Sequence, residues 1–181
     1  NIPIMKALLG IDPERATGIA LNFPDRYGNT PLFKAIRAGH TEAARLLIAA
    51  GADVNLGGDY REFGFKKEFR GTRPPIVEAV RMRNSELVQA LLNAGAQVNA
   101  KDAEGLTALI YACTEANINL IQMLALGGAD LNIINPKTGK TPLIDAILRK
   151  DESSLNCIKA LLHAGADIKA KDNQGKTAIY Y

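Results

Sequence analysis

The sequence predicts an all-α repeat protein in which a pair of short helices recurs along the chain. Three observations point there. A seven-residue motif returns as "TPLFKAI" at Thr30, "PPIVEAV" at Pro74, "TALIYAC" at Thr107 and "TPLIDAI" at Thr141, with a shorter "TAIYY" at Thr177. A glycine tag follows each of the first four, as "GADVN" at Gly51, "GAQVN" at Gly95, "GADLN" at Gly128 and "GADIK" at Gly165. From motif to tag the distance is 21 residues in three units and 24 in the fourth, so the period is about 33 residues.

Each element of the period has a physical reason. Thr30 before Pro31 reads as a helix start, because the hydroxyl accepts from an orphan amide and proline lacks only an N–H that the first turn does not use. Leu32, Ala35 and Ile36 then form one apolar stripe, and Gly39 ends the helix. A second helix is expected from about Thr41 to Ala50, with Ala44, Leu47 and Ile48 inward, closed by Gly51 in the left-handed conformation. The turn before the next unit has the form Asp-x-x-Gly, as "DRYG" at Asp25, "DAEG" at Asp102 and "DNQG" at Asp172, which suits a type I turn.

These motifs resemble the ankyrin repeat: "GNTPLFKAIRAGHTEAARLLIAAGADVN" follows that family's pattern almost position for position, and the resemblance covers about residues 25 to 181. It implies helix-loop-helix units whose ends project as β-hairpin fingers and which stack into a curved solenoid, each burying the apolar face of its neighbour. The expected division is 1–24 as a degenerate N-terminal cap repeat, 25–57 as a repeat, 58–73 as an inserted long finger loop, then repeats at 74–101, 102–134 and 135–171, and a partial repeat at 172–181. The family's histidine after T-P-L is replaced by Phe33, Val77, Ile110 and Ile144, so apolar packing is expected where that histidine forms hydrogen bonds.

Composition excludes several functions. With 22 basic and 19 acidic residues the net charge is only +3, too little for a general phosphate-backbone binder. No apolar run reaches the roughly 18–20 residues that span a bilayer. The chain begins at Asn1 without methionine, which leaves the compartment open between cytosol and, after removal of an export signal, a bacterial periplasm. No cofactor is expected. "TGKT" at Thr138 and "QGKT" at Gln174 lack the earlier glycine of a phosphate-binding loop, having Ile134 and Ala170 there. His40 and His163 have no partner at a triad spacing, and Cys113 and Cys157 read as inert core thiols. The reading is of a non-enzyme.

The resemblance implies binding of a protein partner by fingers and first helices, and the chain itself is expected to be monomeric. Carried onto this sequence, the family's variable positions are Arg26, Tyr27, Asn29 and Arg37, then Arg81 and Met82, then Glu104, Leu106 and Glu115, and finally Lys137, Lys140, Leu148 and Arg149. The spacing from tag to next motif is 12 or 13 residues elsewhere but 23 between Gly51 and Pro74. The extra stretch holds Tyr60, Phe63, Phe65 and Phe69 among Arg61, Lys66, Lys67 and Arg70. Either its aromatic rings fold back as a lid on the repeats, or they anchor a partner with the basic residues as a polar rim. Stacking on single-stranded nucleic acid is the third use of such a pattern, but no fold that recognises it is present. A rigid frame with one aromatic projection suits occlusion of a cleft, so inhibition or protective antagonism of an enzyme is the expected role. A plain scaffold or adaptor, or the targeting domain of a longer enzyme, is the alternative.

Overall fold

Hydroxyl and amide side chains open most of the helices. The computed structural model describes residues 21–59 and 72–181, in two compact units that divide between Gln97 and Val98. The first unit holds α1 (Pro31–Arg37), α2 (Thr41–Ala49), β1 (Gly58–Asp59), β2 (Thr72–Arg73), α3 (Pro75–Arg81) and α4 (Ser85–Asn93). The second holds α5 (Ala108–Thr114), α6 (Ile118–Leu126), α7 (Pro142–Leu148), α8 (Ser154–His163) and a single 3-10 turn at Ala178–Tyr180. Thr30, Thr107 and Thr141 each accept from the amide three residues on, at 3.2, 3.5 and 3.3 Å. Asn84 and Asn117 cap α4 and α6 in the same way. Pro74 offers no such group, and α3 starts on two successive prolines whose φ is already helical in range.

Packing follows the period. Within the first unit α1 lies against α3 and α2 against α4; within the second, α5 lies against α7 and α6 against α8. First helices therefore pair with first helices and second with second, as stacking of identical supersecondary units requires. Phe33, Val77, Ile110 and Ile144 are all buried, so the positions that carry histidine in the family are filled with hydrocarbon here. At about 25 cal/mol per Å² of apolar surface, burial of residues such as Leu32, Leu91, Leu109 and Ile121 is the main stabilising force of each unit.

The finger turns carry their own hydrogen bonds. One oxygen of Asp25, Asp102 and Asp172 accepts from the amides two and four residues on, at 2.8–3.1 Å. Gly28, Gly105 and Gly175 follow with φ of 83°, 76° and 77°, a region in which a Cβ is costly. The fourth repeat uses Asn135 and Gly139 instead, one residue further apart, with the Gly139 amide donating to the Asn135 carbonyl at 2.8 Å.

A second series of bonds runs between tags. Asn22, Asn55, Asn99 and Asn132 each accept, through the side-chain oxygen, the backbone N–H of Asp53, Gln97, Asp130 and Asp167, at 2.8–2.9 Å. Each of these rungs joins one tag to the next, and the last tag carries Lys169 at the asparagine position.

The inserted stretch leaves and re-enters the fold side by side. Gly58 pairs with Arg73 and Asp59 with Thr72 in an antiparallel ladder. A side chain at Gly57 would run into the Arg73 backbone, and one at Gly58 into the Phe33 ring and Asn29. Arg73 itself is buried at 5% exposure, with its guanidinium 2.8 Å from the Glu78 carboxylate, and Arg81 stands 3.9 Å from the same oxygen. Arg73 and Gly58, at the two edges of the segment read from sequence as an inserted loop, are thus packed parts of the repeat.

Candidate functional site

In the first unit the predicted contact residues that are described lie at the finger and at the ends of first helices. Arg26 and Tyr27 occupy the turn held by Asp25, whose amide donors include Tyr27 itself. The Arg26 guanidinium sits 4.7 Å from the Tyr27 ring centroid, and Tyr27 is 51% exposed. Arg37 ends α1, Arg81 ends α3, and Met82 follows as the C-cap at 45% exposure. The carboxyl of Asp25 is held below its ordinary range: its partial burial works the other way but is outweighed by the Asn29 and Tyr27 amides and by Lys34. Tyr60, Phe63, Phe65, Lys66 and Phe69 lie outside the described residues.

In the second unit the predictions divide. Leu106 was expected on the binding surface; it is 3% exposed and belongs to the core, where its hydrocarbon side chain is removed from water. Glu104 is half-buried in the finger and pairs with Lys137 at 3.0 Å. Glu115 is the C-cap of α5. Lys140 is turned along the neighbouring finger: its ammonium reaches the Tyr181 hydroxyl at 2.7 Å and Asp172 at 3.4 Å, and lies 4.3 Å from the Tyr181 ring centroid. These partners raise its pKa, the Tyr181 hydroxyl foremost.

Asp172 is the centre of that group. Burial alone would raise its pKa, but the Lys176 amide, the Tyr181 hydroxyl, the Gln174 amide and Lys140 together pull it to about 2. The same geometry recurs two repeats earlier, where the Tyr111 hydroxyl donates to Asp102 at 2.7 Å.

Arg149 spends its donors inward. One terminal nitrogen donates to the carbonyls of Cys113 at 2.6 Å and Thr114 at 3.0 Å in the last turn of α5, where the Cys113 carbonyl also accepts from the Ala116 amide at 3.1 Å. Its other nitrogens meet Asp151 at 3.1 Å and Ser153 at 3.4 Å. A cation from the next repeat thereby caps a helix C-terminus, where positive charge is favoured.

Beside Arg149 opens a cavity of about 290 Å³, walled by Ile110, Cys113, Pro142 and Ala146 and edged by Asn135, Thr138 and Asp145. Asp145 is oriented by Asn135 at 3.0 Å and Thr138 at 2.9 Å. Leu148, at the end of α7, is 37% exposed. His40 and His163 are both exposed. Among the described residues no group of three or more His, Cys, Asp or Glu could hold a metal ion.

Two features were missed in the sequence. The tag asparagines recur at Asn22, Asn55, Asn99 and Asn132, so their rung role was signalled by periodicity alone. The meeting of Cys113 and Cys157, which are 44 residues apart, had no such signal.

Comparison with known proteins decides the family. A family model described as ankyrin repeats (3 copies) matches residues 73–181, and one described as ankyrin repeat matches residues 27–59. The chain belongs to the ankyrin-repeat family. An ankyrin repeat protein of Acanthamoeba polyphaga mimivirus is 28% identical over 179 residues, covering 98% of this chain and 21% of that protein. The B-cell lymphoma 3 protein homolog of Mus musculus is 34% identical over 80 residues, covering 44% of this chain and 17% of that protein. The nuclear factor NF-kappa-B p105 subunit of Gallus gallus is 23% identical over 177 residues, covering 98% of this chain and 17% of that protein. A crystal structure of the ankyrin repeat protein EF0377 is similar with a TM-score of 0.72 and 27% identity, covering 99% of this chain and 82% of that one. This chain spans about a fifth of the length of the curated relatives it matches. Ankyrin repeats are protein–protein interaction modules and typically non-enzymatic scaffolds. Among the described residues no helix is long and apolar enough to cross a membrane.

Proposed function

We propose that this ankyrin domain binds a partner protein through the finger and first-helix residues of its first unit together with the aromatic insertion between Asp59 and Thr72, and that it thereby inhibits or protectively antagonises an enzyme. The observation that supports this reading is the exposure of Tyr27 and Met82, two apolar side chains set among Arg26, Arg37 and Arg81. Tyrosine and arginine are the residue types that dominate interface energetics, and methionine adapts to irregular surfaces. Tyr60, Phe63, Phe65 and Phe69 fall in sequence between Asp59 and Thr72, which the β1–β2 ladder holds side by side. Aromatic anchors on a pre-organised base lose little entropy on docking.

The test replaces residues 60–71 with a short turn while retaining Gly58, Asp59, Thr72 and Arg73, so that the buried Arg73–Glu78 pair survives. Wild type, the shortened chain and a Tyr27→Ala/Met82→Ala double variant are used to capture partners from source-cell extract, and the captured enzyme is assayed with each. Loss of capture by the shortened chain, with inhibition lost in parallel, supports the proposal. Equal capture by all three, or a lowered melting temperature with intact binding, refutes it and makes the insertion a lid.

An adaptor role within a longer protein is the second reading, favoured by the small fraction of each relative that this chain covers. It predicts capture of a partner whose activity is unchanged.

A further inference from the structure

The two cysteines of the chain come from different repeats and meet in the second unit. Cys113 sits in the last turn of α5 and Cys157 in the first half of α8, both buried and both free thiols. The Cys157 thiol donates toward the Cys113 carbonyl oxygen at 3.9 Å, which sets its sulfur beside the Cys113 residue. Cys113 forms part of the wall of the 290 Å³ cavity, and Cys157 stands behind it with no exposed surface. Arg149 is anchored on the Cys113 carbonyl at 2.6 Å, which places a fixed positive charge beside the pair.

We propose that Cys113 and Cys157 form a reversible disulfide on exposure to hydroperoxides, with the cavity as the route of the oxidant to Cys113. A sulfur already 3.9 Å from the other cysteine's carbonyl has a shorter way to that cysteine's sulfur than thiols on separate surfaces, which need backbone movement. A peroxide is little larger than water, and a cavity needs only about 10–15 Å³ of accessible space to admit a water molecule.

The chemistry balances without further reagents. Cys157 first loses its proton to solvent, and the resulting thiolate takes the proton of Cys113 as the Cys113 sulfur attacks one peroxide oxygen. The O–O bond breaks, Cys113 becomes a sulfenic acid and hydroxide leaves. That hydroxide removes the proton from Cys157, whose sulfur attacks the Cys113 sulfur, and the S–O bond breaks to release the second oxygen as water after protonation. In sum two thiols lose two electrons and two protons, and hydrogen peroxide becomes two waters.

Electrostatics favours this division of labour. Interaction with the neighbouring thiol, followed by burial, raises the pKa of Cys113, while the same interaction, with Arg149 acting against burial, lowers that of Cys157. The charge of the ionised pair therefore rests on Cys157, the sulfur placed to take the proton first and to close the bond second.

The test uses the chain as it stands. Protein treated with hydrogen peroxide is quenched with catalase, denatured in N-ethylmaleimide and weighed intact by mass spectrometry. The expected product has lost two hydrogens and gained no maleimide; dithiothreitol restores two reactive thiols, and peptide mapping shows a Cys113–Cys157 link. Its melting temperature rises above that of the reduced chain, because the bond ties two repeats together. In Cys157→Ser, Cys113 is trapped by dimedone as a sulfenic acid, and no link forms. Retention of two maleimide-reactive thiols in the treated wild type, or accumulation of sulfinic acid without a link, overturns the proposal, and neither outcome depends on how a variant folds.

Discussion

The repeat spacing is broken twice, and the two breaks are closed by different means. Between Gly51 and Pro74 the first unit accommodates a long insertion, and it seals the junction with a two-residue ladder, two tightly packed glycines and a buried Arg73–Glu78 pair. In the fourth repeat the interhelical link "RKDESSLN" is three residues longer than in its neighbours, and it is sealed at the surface. There Asp151 accepts from the Ser153 and Ser154 hydroxyls at 2.6 and 3.0 Å, and Arg149 ties Asp151 and Ser153 to the end of α5. Loop closure entropy grows only slowly with length, so neither insertion is costly in itself. What differs is the dielectric around the closing charges, and hence the cost of removing one.

The largest expected effect is at the buried junction. Arg73→Ala leaves the Glu78 carboxylate buried without its main partner and should cost about 3–5 kcal/mol in a urea titration, whereas Arg73→Met combined with Glu78→Leu should recover most of that loss. An equal loss in the double variant would show that packing, and not charge, holds the junction. Gly58→Ala forces a methyl against the Phe33 ring and should cost about 1–3 kcal/mol by the same assay.

At the surface junction the losses are smaller. Arg149→Ala uncaps the Cys113 and Thr114 carbonyls and should lower stability by about 1–3 kcal/mol; Arg149→Lys, which cannot span both carbonyls and Asp151 together, should restore little of it. The Asp151 carboxyl is held at about 2 against an ordinary 3.8, chiefly by the Ser153 hydroxyl, with Ser154 and Arg149 adding to it against partial burial. Its folded pKa is depressed, so its contribution is complete above 3.8 and disappears as pH falls through about 2. Asp172, also at about 2, loses its contribution in the same window. Melting curves between pH 5 and 2 should therefore steepen at the acid end, and Asp151→Asn should remove part of that slope.

The smallest effect concerns the interhelical links. Arg83, Ala116 and Lys150 have φ of 54°, 50° and 54°, where the first repeat has Gly39 at 72°. Ala116→Gly relieves a left-handed alanine at the price of chain entropy and should raise stability by about 0.5 kcal/mol. A decrease would mean that the alanine methyl contributes packing that outweighs the strain.

Local bonds explain what was legible before folding was known. Thr30, Thr107 and Thr141 cap amides three residues away, and Asp25, Asp102 and Asp172 close turns within four residues. Such contacts depend on the nearby chain alone, so helix starts, turns and the ankyrin stack could be read directly from residue order. The resemblance to the family, whose histidine Phe33, Val77, Ile110 and Ile144 replace, implied apolar packing at these positions, and all four are buried.

Other features depend on which repeats are brought together. Leu106 looked like a finger-tip contact and is buried; Arg149 looked like a surface cation and caps a helix 36 residues earlier in the chain. Arg73 and Glu78 are close in sequence, but only packing of α3 removes both from water. The Cys113–Cys157 pairing arises solely because α8 of one repeat passes the end of α5 in the one before. Residue order determined each repeat's helices, caps and turns, because those bonds span a few residues. Stacking decided which charges are buried, which cysteines are brought together and which side chains face water, because those depend on distances that only neighbouring repeats create.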